Sequence, residues 1–270
     1  SCGESISPVD SGLDAQILHF GNGSEPQGLD PHIVTGVPEH HLLISMCEGL
    51  TIANPKGGEN LPGVAESWKI SPNGKIYTFY LNKNAKWSNG DALTAQDFVW
   101  SWMRILTPSL GSQYPDMLYY LKGAAEFHQG KTDDFSTVGV KAINDHELRV
   151  ELKNPTPFFI RLLSHYSTYP VHKETVLAHG SIDDRNGLWT RPGNFVCNGP
   201  MNLKSWELNK QITVEKNPLY WDADKVQLNE IRYYPVSNES TEDRMFRAGQ
   251  LHVTNVVPLE KCPVYIENNN

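Results

Sequence analysis

Between Trp68 and Pro108 the apolar residues change period, from strict alternation to helical spacing, so the chain is neither all-helical nor all-strand. Trp68 to Leu81 reads as two strands joined at Ser71-Pro72-Asn73-Gly74, a run of residues that hairpin turns favour. In the second strand Tyr77, Phe79 and Leu81 fall on one face. A second turn, Ser88-Asn89-Gly90, leads into a helix start. Thr94 is the expected N-cap and Asp97 supplies an Asp variant of the capping box, with Leu93 and Phe98 at the spacing of a hydrophobic staple. Phe98, Val99, Trp102, Ile105 and Leu106 then form one apolar face, and Pro108 stops the helix.

The same mixture continues on both sides. Ile17 to Phe20 is a short strand ending at Gly21-Asn22-Gly23, and Pro38 opens a helix in which Leu42, Leu43, Met46, Cys47 and Leu50 recur at helical spacing. Leu148, Val150 and Leu152 alternate with Glu147, Arg149 and Glu151, the pattern of a half-buried antiparallel strand. Helical spacing is expected over Phe158–Tyr166 and Lys173–Ala178. Strands are expected over Met201–Trp206, Gln211–Lys216 and Glu230–Val236. Ser240 is the expected cap of a short helix ended by Gly249, and Leu251–Val257 reads as a last strand. The stretch that follows Glu4 and runs to Leu13, rich in Ser, Pro, Asp and Gly, reads as flexible.

With 270 residues and 39% hydrophobic content, the chain is long enough for two structural units. A formal net charge of -8, spread evenly, speaks against nucleic acid and against a polybasic membrane surface as partners. No apolar run approaches the roughly 20 residues that span a bilayer. The four cysteines form no C-x-x-C pair; Cys47, in an apolar stripe, reads as a core residue, and Cys197 and Cys262 are left unpaired by the sequence. Ser1-Cys2-Gly3-Glu4 resembles the start of a processed bacterial lipoprotein, which makes Cys2 a lipidation candidate and a lipid anchor the one expected membrane contact. A cysteine left by an arbitrary choice of chain end is the alternative. Catalytic signatures such as G-x-S-x-G, H-E-x-x-H or a P-loop are absent, so no catalytic residue is expected. Ten histidines raise a carrier of nickel or haem as an alternative function. His40 and His41, however, are helix neighbours whose side chains diverge by about 100°.

Several segments taken together resemble one family. Gly21-Asn22-Gly23-Ser24-Glu25-Pro26-Gln27-Gly28-Leu29-Asp30-Pro31-His32 is similar to the opening G-x-E-P-x-x-L-D-P of the bacterial extracellular solute-binding proteins, family 5. Leu61-Pro62-Gly63-Val64-Ala65-Glu66-Ser67-Trp68, Ala85-Lys86-Trp87-Ser88-Asn89-Gly90 through Asp97-Phe98-Val99, Asn198-Gly199-Pro200 and Asn217-Pro218-Leu219-Tyr220-Trp221 resemble further stretches of that family, in the same order. Gly36-Val37-Pro38-Glu39 and the motif spacing look closest to its oligopeptide-binding branch.

The resemblance implies an α/β fold: a periplasmic-binding-protein-like mixed-sheet lobe with an inserted α+β subdomain. Residues 1–50 and 170–270 would build the first lobe and residues 51–169 the subdomain. Family chains continue through a second lobe, which is expected to be missing here, in a truncated product or a designed fragment. The implied function is capture of peptides for the permease of an ABC importer in the periplasm or cell envelope, weak or lost at this length. A fragment acting as a surface or interaction protein is the alternative. By resemblance Thr35, Gly36 and Val37 form the segment on which a peptide lies as an added strand, with Tyr114, Thr254 and Asn255 beside it. The family commonly has Tyr where Thr254 stands. No cofactor is implied. An uncovered cleft face and open sheet edges carry the expectation of self-association.

Overall fold

The computed structural model describes residues 6–267. Helix α1 (Pro8–Ala15) forms where composition predicts a flexible stretch. The physical reason is local. Ser7 accepts the Asp10 N–H at 3.1 Å and Pro8 presets the first turn, so residues common in loops here serve as a helix start. Gln16, at φ 56°, ends the helix and leads into β1 (Ile17–Gly21). Helix α2 (Val37–Met46) starts at Gly36 and buries Leu42, Leu43 and Met46. The short strands β2 (Thr51–Ile52) and β3 (Leu61–Pro62) pair with each other.

The expected hairpin is present as β4 (Ala65–Ile70) and β5 (Ile76–Leu81). Asn73 Oδ1 accepts the Lys75 N–H at 3.1 Å, and Gly74 takes the left-handed conformation at φ 68°. Helix α3 (Ala95–Leu106) begins with the predicted capping box, Thr94 N–H donating to Asp97 Oδ2 at 2.7 Å. Helix α4 (Ala124–His128) and strands β6 (Val140–Asn144) and β7 (Glu147–Glu151) follow. The helical spacing over 158–166 yields only one turn, α5 (Phe159–Leu162), and a 3-10 turn at Tyr166–Thr168, because His165 takes the Ser167 N–H on its side chain. Helix α6 (Lys173–Ala178) stands where the sequence places it.

Next come β8 (Met201–Glu207), β9 (Gln211–Lys216) and β10 (Glu230–Tyr234). Helix α7 (Glu239–Arg247) is capped by Asn238, whose Oδ1 accepts the Thr241 N–H at 2.8 Å; Ser240 lies inside the helix and is not the cap. The expected strand over Leu251–Val257 is reduced to a bridge between Val253 and Phe20. Gly21 N–H donates to Val253 O at 2.8 Å, but the next free donors, Asn255 N–H and Val256 N–H, go to the Glu242 carboxylate, and the ladder ends. Helix α8 (Cys262–Glu267) closes the described chain.

Two four-stranded sheets organise the molecule. One has the order β1-β10-β9-β8, with β1 parallel to β10 and the other pairs antiparallel. The other is antiparallel throughout, in the order β4-β5-β7-β6, and comes from the middle of the sequence. Each sheet has its own core. Tyr77, Phe79, Leu81, Leu148 and Val150 pack under Phe98, Trp102 and Ile105 of α3. Leu42, Leu43, Met46 and the buried, free Cys47 and Cys197 pack with Ile212, Val214, Ile231 and Tyr233. Burying such side chains contributes about 1.5–3 kcal/mol each.

Candidate functional site

The loop from Gln27 to Thr35 is held from beneath by a buried charge pair. Arg104, on the inner face of α3, donates its Nη2 to Asp30 Oδ2 at 2.6 Å and its Nη1 to Asp30 Oδ1 at 2.9 Å. Burial opposes ionisation of Asp30, yet the guanidinium holds its carboxyl below the usual range. His32 packs in the same place, Nη1 of Arg104 lying 3.0 Å from its Nδ1. Burial first, and then the Arg104 charge, push the His32 pKa down to about 4, so the ring is neutral and can accept. An arginine on an otherwise apolar helix face is the sequence signal for this pair. Beside the Asp30–Arg104 pair an open cleft of about 400 Å³ is bordered by Gln27, Leu29, Thr35, Arg191 and Trp206.

Thr35 and Val37 are exposed at the lip of this loop, and Val37 is 59% exposed although apolar. Among the described residues the backbone N–H groups of Thr35, Gly36 and Val37 donate to no partner. Their conformation is fixed from behind. Tyr166 Oη donates to Val34 O at 3.1 Å, Tyr114 Oη to Thr35 O at 3.5 Å, and Asn22 Nδ2 to Pro38 O at 3.2 Å. Gly36, at φ -83°, needs no left-handed freedom. Its lack of a side chain makes room for the buried carboxylate of Glu39, whose Oε1 accepts the Gln27 N–H at 2.7 Å. The result is a solvent-facing segment on a rigid backing, extended at Gly36 and turning into α2 at Val37.

Tyr114 is half-buried and stands edge-on to His165 at 5.2 Å and to Tyr166 at 6.3 Å between centroids. Thr35, Gly36, Val37 and Tyr114 are therefore neighbours. Asn255 reaches the group indirectly. It packs against Gly23, next to Asn22, which joins β1 to the start of α2 through Pro38 O and through His41 Nδ1 at 2.9 Å. Glu242, buried on α7, sets the place of Asn255 by accepting its N–H at 3.0 Å. Burial raises the Glu242 pKa against the pull of those N–H groups. Thr254 is half-buried and makes no hydrogen bond among the described residues. Cys2 lies outside the described residues. Sequence reasoning passed over Asn22, Tyr166 and Glu242; Gly21-Asn22-Gly23 carried a signal but read only as a turn.

Behind the site, Glu48 follows α2 and accepts from Tyr220 Oη and Trp221 Nε1, each at 2.7 Å. Burial outweighs these two donors and raises its pKa to about 7. Among the described residues no cluster of three or more His, Cys, Asp or Glu is placed to hold a metal ion, and no helix is long and apolar enough to cross a membrane.

Comparison with known proteins places this geometry. Residues 60–270 match the model of the bacterial extracellular solute-binding proteins, family 5 Middle. The periplasmic oligopeptide-binding protein OppA of Escherichia coli is 42% identical over 250 residues, covering 92% of this chain and 44% of that protein. OppA of Bacillus subtilis is 39% identical over 248 residues, covering 91% and 44%. Among solved structures, Burkholderia pseudomallei OppA superposes with a TM-score of 0.88 at 31% identity, covering 94% of this chain and 48% of that one. Haemophilus influenzae OppA in complex with RPPGFSPFR gives a TM-score of 0.88 at 34% identity, covering 95% and 49%. The chain spans about half the length of these relatives. Its mixed sheets are those of the periplasmic binding protein fold found in the OppA structures. The family motifs around Asp30, Trp87 and Trp221 thus belong to a shared scaffold, and the chain belongs to the bacterial extracellular solute-binding proteins, family 5.

Proposed function

We propose that this chain captures short peptides by strand addition along Thr35-Gly36-Val37, as part of a binding protein that serves the permease of an ABC importer. The observation that carries this reading is the set of free N–H groups at Thr35, Gly36 and Val37, presented on a fixed, exposed edge. An extended peptide meets such an edge through its own backbone, whatever its side chains are, so the contact is broad in specificity. Tyr114 and Asn255 flank the peptide in this reading, and Thr254 is a lesser contact. That relatives are named oligopeptide-binding, and that one was solved with RPPGFSPFR, supports it. So does their being binding proteins, which favours a non-catalytic role.

The lobe division follows from the same reading. We assign residues 1–50 and 170–270 to one lobe, because β1 and β8 to β10 share a sheet, and residues 51–169 to an inserted subdomain. The working place is the cell envelope, with Cys2 as the point of a lipid anchor. As 270 residues, the chain offers a peptide one wall. One-sided pairing leaves half of the peptide's hydrogen bonds with water, and each bond made contributes only about 1 kcal/mol net. Ordering a free peptide costs more than such a wall returns, so binding is of millimolar strength or weaker. Titration calorimetry with mixed tri- to pentapeptides tests this: weak, sequence-tolerant heats are expected, and micromolar binding would contradict the one-wall account.

A further inference from the structure

Two imidazoles flank one tyrosine ring beside the candidate edge. His165 stacks on Tyr166 at 4.3 Å between centroids, and His40, from the first turn of α2, packs on the same ring at 5.7 Å. Tyr166 and Tyr114 bind the carbonyls of Val34 and Thr35, so these rings stand next to the segment with free N–H groups. His165 uses Nδ1 toward Ser167, and His41 uses Nδ1 toward Asn22. Among the described residues His40 has no hydrogen-bond partner on either nitrogen, and His165 and His41 have none on Nε2. His40 and His165 are both half-buried. Of the carboxylates nearby, Glu39 is buried against the Gln27 N–H, and Asp116, exposed two residues beyond Tyr114, hydrogen-bonds to neither ring but favours the protonated form of His165 through its charge.

We propose that His40 and His165 form a recognition site for an acidic side chain of a peptide lying on Thr35-Gly36-Val37, so that glutamate- or aspartate-bearing peptides are preferred when the surroundings are acidic. This rests on the peptide-capture reading and adds to it a class of side chain. The chemistry is that of a missing counter-ion. Burial lowers the pKa of both rings, and at His165 the neighbouring His40 adds to that while Asp116 works against it. A carboxylate within reach of their free nitrogens offsets that lowering. It accepts from the Nε2–H of His165, whose Nδ1 is taken by the Ser167 N–H, and favours the protonated form of His40, so proton uptake at His40 and acidic-peptide binding strengthen each other equally. The His41 ring lies 6.1 Å from that of His40 between centroids and packs on Phe20 on its other side, and its own pKa is lowered by burial and then by the His40 charge.

The test follows ring-nitrogen and backbone signals of the 270-residue chain by NMR during titration with Ala-Glu-Ala and with Ala-Gln-Ala at millimolar concentration. The account expects the Glu peptide to bind about fivefold more tightly than the Gln peptide near pH 5.5, the advantage shrinking toward unity near pH 7.5. It also expects the His40 and His165 ring signals to move with occupancy. His40→Gln, which removes a ring that no hydrogen bond ties to the fold, should reduce the Glu advantage at low pH. Equal binding of both peptides at both pH values, with backbone shifts at Thr35 to Val37, would overturn this inference and leave the peptide reading standing. No shift at those residues with either peptide would overturn both.

Discussion

The carboxylate of Glu39 fills the space that a side chain on Gly36 would occupy, and from there it holds the Gln27 N–H. Gly36→Ala is therefore expected to displace that carboxylate and strand the Gln27 N–H, at a cost of about 1–2 kcal/mol. Chemical denaturation of the variant measures the loss. In the double variant Gly36→Ala, Glu39→Ala the two losses should not add, because the collision has gone. Full additivity would mean that the two residues are independent.

Asp30 and Arg104 are both buried, and their pairing ties the loop before Thr35 to α3. Removing one partner leaves a charge without a counter-ion in a dry site. Asp30→Ala should cost about 3–5 kcal/mol, enough to lower the unfolding midpoint sharply. Replacing both, with Arg104→Met in the same chain, should cost less than Asp30→Ala alone. A loss below about 1 kcal/mol for Asp30→Ala would show that the loop does not depend on the pair.

Glu48 gives the fold a pH dependence of definite sign. Its pKa is raised by burial from 4.5 to about 7, so the folded chain binds a proton there that the unfolded chain has released. Its favourable contribution is full below about pH 4.5 and is lost as pH rises through about 7. His32 acts oppositely, since its pKa is depressed to about 4, and it favours the fold increasingly as pH rises toward 6.5. Glu48→Gln leaves His32 untouched. The variant should thus gain on the parent chain from pH 5 to pH 8 by up to about 3 kcal/mol. Unfolding free energies across that range check it, and a constant difference would remove Glu48 as the cause.

Much of the secondary structure is legible because its causes are local. Ser71-Pro72-Asn73-Gly74 makes its turn, Thr94 and Asp97 cap α3, and Leu148, Val150 and Leu152 fill one strand face, each from neighbours in sequence. The misreadings have causes that sequence neighbours do not carry. Leu251–Val257 alternates well enough to be a strand, but a carboxylate from α7 takes the N–H groups of Asn255 and Val256. Residues before Leu13 have loop composition, yet Ser7, Pro8 and Asp10 fall in the order that starts a helix. The site was less legible than the fold. The Val37 N–H is free because it opens α2, which Pro38 announces, whereas the free N–H groups of Thr35 and Gly36 are a property of what does not pack there. The side chains that fix it, Asn22, Tyr166 and Glu242, act over long sequence separations.

The C-terminal stretch leaves apolar surface uncovered among the described residues. Val253, which bridges to β1 at Phe20, and Val256 and Val257 beyond it are about 40% exposed, and Leu259 is 86% exposed. Such a patch beside a sheet edge favours association of copies. Sedimentation at rising protein concentration should show a reversible dimer or larger species, diminished in Leu259→Asp. A strictly monomeric profile at high concentration would count against this expectation.

The central claim is that Thr35-Gly36-Val37 receives a peptide as an added strand, and amide NMR of those residues tests it most directly. On titration with millimolar tri- to pentapeptides, the Thr35 and Val37 amide signals should move downfield and their hydrogen exchange should slow, as free N–H groups acquire acceptors. The midpoint should lie at millimolar concentration and depend little on peptide sequence. Peptide binding that leaves these amides unshifted, or that protects residues elsewhere instead, would contradict the account.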